Sequence, residues 1–208
     1  MRPSCRASRR LHWGVVAVAS PLLLAVFWWA SGGLFNISAS LPYGLYHAVN
    51  EAPQVGRLVA YCLPVAPLAR QAHARGYLSD GRCSGGWLPI LKPVVAMAGD
   101  HVQFLDAGVL VNGRWIANSA RIAHDPSGHR LPAPQPSQQY LRHGELLLIS
   151  SYSAHSFDGR YFGVVPADGV QAVVVPVITW PAGPAAHPPP AAFAAPSFRK
   201  TRWSIYDH

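Results

Sequence analysis

Two hydroxyls stand two residues apart in the stretch Phe35-Asn36-Ile37-Ser38-Ala39-Ser40-Leu41-Pro42-Tyr43-Gly44-Leu45-Tyr46. Pro42 restricts the backbone directly after them and Gly44 frees it again, so Ser40 falls on a constrained turn. A serine hydroxyl becomes a nucleophile when a nearby base takes its proton, and that base can be histidine or neutral lysine. Lys92 is the candidate base. It is flanked by Ile90, Leu91, Pro93, Val94 and Val95, and Lys200 is the only other lysine in the chain. A lysine amine ordinarily titrates near 10.4, so a useful base must fall by about 3 pH units. That costs about 4 kcal/mol, which desolvation among apolar groups can supply. The same context also suits a lysine whose stem packs while its amine reaches water.

Other arrangements compete less well. His155 and Asp158 could complete a Ser-His-Asp triad, but three residues on one short segment leave little freedom to align with Ser40. His124, Asp125 and His129 lie in a Pro/Gly-rich loop and read as surface residues rather than metal ligands, so no metal site is expected. Asn36-Ile37-Ser38 matches a glycosylation acceptor formally, although its place beside an apolar segment argues against use.

These groups must be positioned, and the first positioning element is apolar. Positions 13–35 carry no charged residue, and 23 residues of helix at about 1.5 Å each span a bilayer core of about 30 Å. Arg2, Arg6, Arg9 and Arg10 precede the run, which keeps residues 1–12 cytoplasmic by the positive-inside rule. Trp13, Trp28 and Trp29 stand towards its ends, as interfacial aromatics do, and Pro21 adds a minor kink. The rival is a cleaved signal peptide, whose small-residue cleavage sites are poorly placed here. The expected organisation is therefore a cytoplasmic N-terminus, an anchor at 13–35, an extracytoplasmic domain at 36–180 and a Pro/Ala-rich, disordered tail at 181–208.

Half of the residues are hydrophobic and 12% are charged, which suits a membrane-attached chain. The net charge of +8 is dispersed apart from the two ends, so a nucleic-acid footprint is not expected. Outside the cytoplasm, Cys62 and Cys83 can pair and close a loop worth about 3 kcal/mol. Two free thiols are the alternative.

The domain reads as short strands punctuated by Gly and Pro. Strands are expected at 57–62, 101–104, 145–149 and 169–175, with a short helix over 68–77 and a loop over 79–86. Asn112-Gly113 between Val109–Val111 and Arg114–Ile116 predicts a tight hairpin. Pro93 argues for an edge strand or a bulge within 87–98. Residues 123–137 read as an excursion loop. The fold class is mainly β with one N-terminal transmembrane helix.

Three blocks now occur in order: Ser-Leu-Pro-x-Gly-Leu-Tyr at 40–46, Leu-Lys-Pro-Val-Val-Ala-x-x-Gly-Asp at 91–100 and Ser-Phe-Asp-Gly-Arg-Tyr-Phe-Gly at 156–163. Together they resemble the serine–lysine signal peptidases, in particular the TraF-type conjugative-transfer peptidases, over about Asn36 to Pro166. The resemblance implies Ser40 as nucleophile and Lys92 as general base. It further implies an oxyanion hole from the Ser38 hydroxyl and the Ser40 N–H, a lysine-orienting Ser156, and a structural Asp158–Arg160 pair. Arg57, Pro93 and Gly159 depart from residues common in relatives, and they leave the substrate pocket less well defined.

The function expected is a membrane-anchored serine endopeptidase that processes membrane-inserted precursors such as a conjugative pilin. A general type I signal peptidase is the alternative, and a non-catalytic envelope assembly factor the alternative of another class. The expected setting is the bacterial inner membrane with a periplasmic catalytic domain. Its partners would be a precursor protein and the lipid bilayer, with no nucleic acid and no cofactor.

Overall fold

The computed structural model describes residues 20–181 and divides the chain into two units, Met1–Leu34 and Phe35–His208. In the first, residues 20–30 are helical (α1). Gly32, at φ 93°, ends the helix with its N–H on the Trp29 carbonyl at 3.2 Å, and the Ser31 N–H bonds the Phe27 carbonyl at 2.9 Å. Residues 33–35, read above as the end of the apolar helix, are therefore extended, and β1 covers Gly33–Asn36. Among the described residues no helix is long and apolar enough to cross a membrane. Positions 13–19 of the expected anchor, and all of the expected tail but Pro181, lie outside them.

The second unit is mainly β, built of antiparallel pairs. Its further strands are β2 (Tyr43–Val49), β3 (Leu58–Tyr61), β4 (Ile90–Ala96), β5 (His101–Leu105), β6 (Gly108–Val111), β7 (Arg114–Trp115), β8 (Gln138–Tyr140), β9 (Glu145–Leu148), β10 (Val165–Pro166) and β11 (Val170–Trp180). They form a seven-stranded sheet in the order β1-β2-β11-β3-β4-β9-β10 and a four-stranded sheet in the order β7-β6-β5-β8.

The continuous apolar runs of β4 and β9 follow from two cores, one on each face. Val94, Leu146 and Leu148 join Val59, Tyr61, Leu63, Trp87 and Val173 on one side. Their chain neighbours Val95, Leu147 and Ile149 join Val102, Phe104, Val109 and Val111 on the other. Successive side chains of a strand point to opposite faces, so a strand between two cores cannot alternate with polar residues. A helix, α2 (Pro67–Ala74), lays Ala69 and Ala72 inward, with Pro67 at its first turn where a missing N–H costs nothing. It ends three residues earlier than its pattern suggests. Cys62 and Cys83 are disulfide-bonded with Cα atoms 5.6 Å apart, which ties the end of β3 to the loop before Trp87.

The Asn112-Gly113 hairpin forms, with φ values of 51° and 78° matching the turn that suits twisted strands. Residues 123–137 contain no named strand, only an isolated bridge between His124 and Arg130. The expectation of an edge at Pro93 is corrected. β4 lies inside the sheet, between β3 and β9. Val94 N–H bonds the Arg57 carbonyl at 2.9 Å, so the Pro93 nitrogen faces the β9 side, where the Ile149 N–H reaches the Pro93 carbonyl at 3.3 Å. Proline cannot return that bond, and the pairing slips between Val94 and Ala96, the irregularity Pro93 suggested. Ile90, Leu91 and Lys92 thus have β3 along one side and, among the described residues, no ladder partner along the other.

Candidate active site

β1 ends at Asn36, and this side chain organises the turn that follows. Asn36 is 5% exposed. Its amide Nδ2 donates to the carbonyls of Ser38 at 3.0 Å, Leu41 at 3.3 Å and Pro42 at 3.0 Å, while Oδ1 accepts the Ser38 N–H at 3.1 Å. The short polar side chain substitutes for backbone partners that the tight turn cannot supply. Leu41 is buried beneath the turn, and the buried Tyr46 donates its hydroxyl to the Pro42 carbonyl at 2.7 Å. Burial holds the Tyr46 phenol well above its ordinary titration range, so it stays a donor. Gly44, at φ 147°, lets β2 approach β11 so closely that a Cβ there would sit 2.1 Å from the Ile178 carbonyl oxygen.

The turn presents Ser38 exposed and Ser40 half-buried. Ser40 Oγ lies 3.2 Å from Ser38 Oγ and 3.2 Å from Ser156 Oγ. The Ser40 N–H points to Ser38 Oγ at 3.4 Å, and the Ser40 carbonyl accepts the Ser150 hydroxyl. The Ser40 hydroxyl is thereby fixed from both sides.

β4 brings Lys92 to the same place. It is 3% exposed, and its amine donates to Ser156 Oγ at 3.0 Å. Burial is the main force lowering its pKa from the usual 10.5 to about 8; Asp158 opposes the fall and Arg160 adds to it. About a tenth of the amine is therefore neutral at pH 7, and a neutral amine can accept a proton. The amine reaches Ser40 through Ser156, not by a direct bond.

Ser156, 1% exposed, is held by the segment after β9. Asp158 caps the short helix α3 (Gly159–Phe162), accepting the Arg160 N–H at 3.2 Å and the Ser150 N–H at 3.0 Å. Arg160, wholly buried, pairs with Asp158 at 2.8 Å and donates to the carbonyls of Asn118 at 2.7 Å, Ala154 at 2.9 Å and Ser150 at 2.9 Å. One cation thus fastens the loops on either side of Ser156, and its charge is met by a carboxylate and several carbonyls. At Gly159 a Cβ would stand 2.8 Å from the Leu148 carbonyl oxygen, a physical reason for glycine at that departure. Arg57, another departure, is exposed and pairs with Glu51 at 2.7 Å.

The triad arrangement is not formed. Asp158 is engaged by Arg160 and by the Ser150 N–H, and His155 is exposed. Asp125 binds the Tyr77 hydroxyl and His129 Nδ1, and among the described residues no three His, Cys, Asp or Glu groups are arranged to hold a metal. Sequence reasoning missed Asn36 and Ser150. Asn36 had a signal, an Asx-type residue opening a Ser-x-Ser turn, but the glycosylation pattern drew the attention instead. Ser150 had none.

The profile described as signal peptidase, peptidase S26, matches residues 8–180. The plasmid transfer protein TraF of Escherichia coli is 39% identical over 175 residues, covering 84% of this chain and 99% of the relative. The conjugal transfer protein TraF of Agrobacterium tumefaciens (strain 15955) is 34% identical over 169 residues, 80% of this chain and 93% of its own. A signal peptidase I from Enterococcus faecalis V583 overlaps 59% of this chain and 97% of its own, at 17% identity and a TM-score of 0.34, too loose a match to carry an argument.

Proposed function

The chain belongs to the signal peptidase family, peptidase S26, and on that premise we propose that it is a membrane-anchored serine endopeptidase with a Ser40–Lys92 dyad. The observation that carries this reading is the buried Lys92 amine, lowered to about 8 and one hydroxyl away from Ser40 Oγ. Ser40 attacks the scissile carbonyl, and Lys92 is the base that receives its proton. Ser38 Oγ and the Ser40 N–H stabilise the oxyanion, Ser156 holds the amine, and the Asp158–Arg160 pair is structural. The substrate lies extended along the unpaired side of Ile90–Lys92, adding a strand to β4. Serine and neutral lysine complete the acyl-enzyme cycle without a metal or nucleotide.

The substrate is a membrane-inserted precursor, and the relatives named for plasmid and conjugal transfer favour a component of a conjugation apparatus such as a pilin. The setting is the bacterial inner membrane, with the N-terminus cytoplasmic and the catalytic unit periplasmic. The charge-free positions 13–35 and the Cys62–Cys83 disulfide support that placement. So do the exposed apolar side chains Phe35, Ile37, Val177, Ile178 and Trp180.

The test is co-expression with a candidate precursor from the same locus and analysis of its size. Cleavage is expected for the wild type and for neither Ser40→Ala nor Lys92→Arg, whose guanidinium stays charged. Cleavage that persists in Ser40→Ala overturns the reading. A wild type that binds the precursor intact points to an assembly factor instead.

A further inference from the structure

Ser156 touches both members of the proposed dyad. Its hydroxyl lies 3.0 Å from Lys92 Nζ and 3.2 Å from Ser40 Oγ, within hydrogen-bond reach of both. Ser156 is 1% exposed, so its hydroxyl is shielded from bulk water. Its position is fixed from three sides. Its own N–H bonds the Ser153 carbonyl at 3.2 Å, Arg160 fastens the Ala154 carbonyl, and Phe157 beside it stacks at 5.9 Å on Tyr161. A hydroxyl both donates and accepts, whereas a group that only orients an amine needs to do no more than accept.

We propose that Ser156 is a catalytic proton carrier: as Ser40 Oγ bonds to the acyl carbon, its proton passes to Ser156 Oγ while the Ser156 proton passes to Lys92 Nζ. The O–H bond of Ser40 breaks, Ser156 ends the step neutral with a new proton, and Lys92 becomes the ammonium ion. No further reactant is needed. The inference rests on the dyad reading above, and it adds a second proton moving in the same transition state.

The probe is p-nitrophenyl acetate, whose leaving group departs without a proton, so acylation alone is observed. The burst of p-nitrophenolate is measured for the full-length, detergent-solubilised chain, with the Ser40→Ala variant as background, in mixtures of H2O and D2O on the high-pH plateau. Two protons in flight make the rate a curved, downward-bowed function of deuterium fraction, and one proton makes it a straight line. A curved inventory in the wild type is expected. Ser156→Ala should lose acylation by about 10²-fold or more, with any residue following a straight line, while Ser156→Thr, which keeps a hydroxyl, should retain the curve. A Ser40-dependent burst with a straight wild-type inventory overturns the relay and leaves the dyad standing. Absence of any Ser40-dependent burst overturns the dyad, and the relay with it.

Discussion

Replacing Lys92 by Met should make the protein more stable at pH 7, although the replaced group is the proposed base. Lys92 is 3% exposed and its pKa falls from 10.5 to about 8, with burial as the main cause. At 1.36 kcal/mol per pH unit, that fall means the folded state carries the charged amine at a disadvantage of about 3 kcal/mol. The sign follows from proton binding. Below pH 8 both folded and unfolded chains hold the proton, and the full penalty is present. Between 8 and 10.5 the unfolded chain binds more protons than the folded one, so stability rises with pH. Above 10.5 the penalty is gone. Methionine has similar reach and no charge, and it gives up one hydrogen bond to Ser156, worth about 1 kcal/mol. The variant should therefore gain about 2 kcal/mol over wild type at pH 7, and the gain should vanish or reverse by pH 10.5. Urea unfolding of the detergent-solubilised chain, followed by the fluorescence of the buried Trp87, measures the difference at each pH, and titrations common to both proteins cancel. A variant less stable than wild type at pH 7, or a gap that does not change with pH, would refute the account of a desolvated amine. In activity, about one amine in ten is neutral at pH 7, so the wild-type acylation rate should climb about tenfold to a plateau above pH 9.

Asn36→Ala removes four hydrogen bonds from the turn that carries Ser38 and Ser40. At about 1 kcal/mol net for each, it should cost roughly 2–4 kcal/mol and depress the acylation rate more than substrate affinity, as unfolding curves and a kcat-against-KM comparison would show. An unaltered rate would mean the turn holds its shape without the brace. Joint Cys62→Ser and Cys83→Ser replacement opens a closure of 21 residues and should lower stability by about 3 kcal/mol. Reductant should act on the wild type in the same direction and leave the double variant unchanged.

Several features were legible because they are local. The turn of Ser38 and Ser40, the apolar surroundings of Lys92, the Asn112-Gly113 hairpin and the mainly β character all follow from residues within a few positions of one another. Pairing of Cys62 with Cys83 was expected over two free thiols, and the disulfide is formed. Of the two readings of Pro93, the edge was wrong and the irregular pairing was right, because a proline in a strand reports only a missing N–H. An inner strand tolerates that gap where its pairing is already irregular, and here the register with β9 slips between Val94 and Ala96. The apolar runs of β4 and β9 were visible, but the two cores behind them were not.

From the order of its residues alone, this chain declares a hydroxyl on a stiff turn, a lysine among apolar neighbours, and the strands that carry them. Folding adds the junction. Ser156 comes 116 positions after Ser40 and 64 after Lys92, and it meets both only because the sheet sets β4 against β9 while Arg160 pins the segment that follows. Backbone preferences act over a few residues. A hydrogen bond between distant residues, and the loss of water that lowers an amine's pKa, exist only once the strands have paired and the cores have closed.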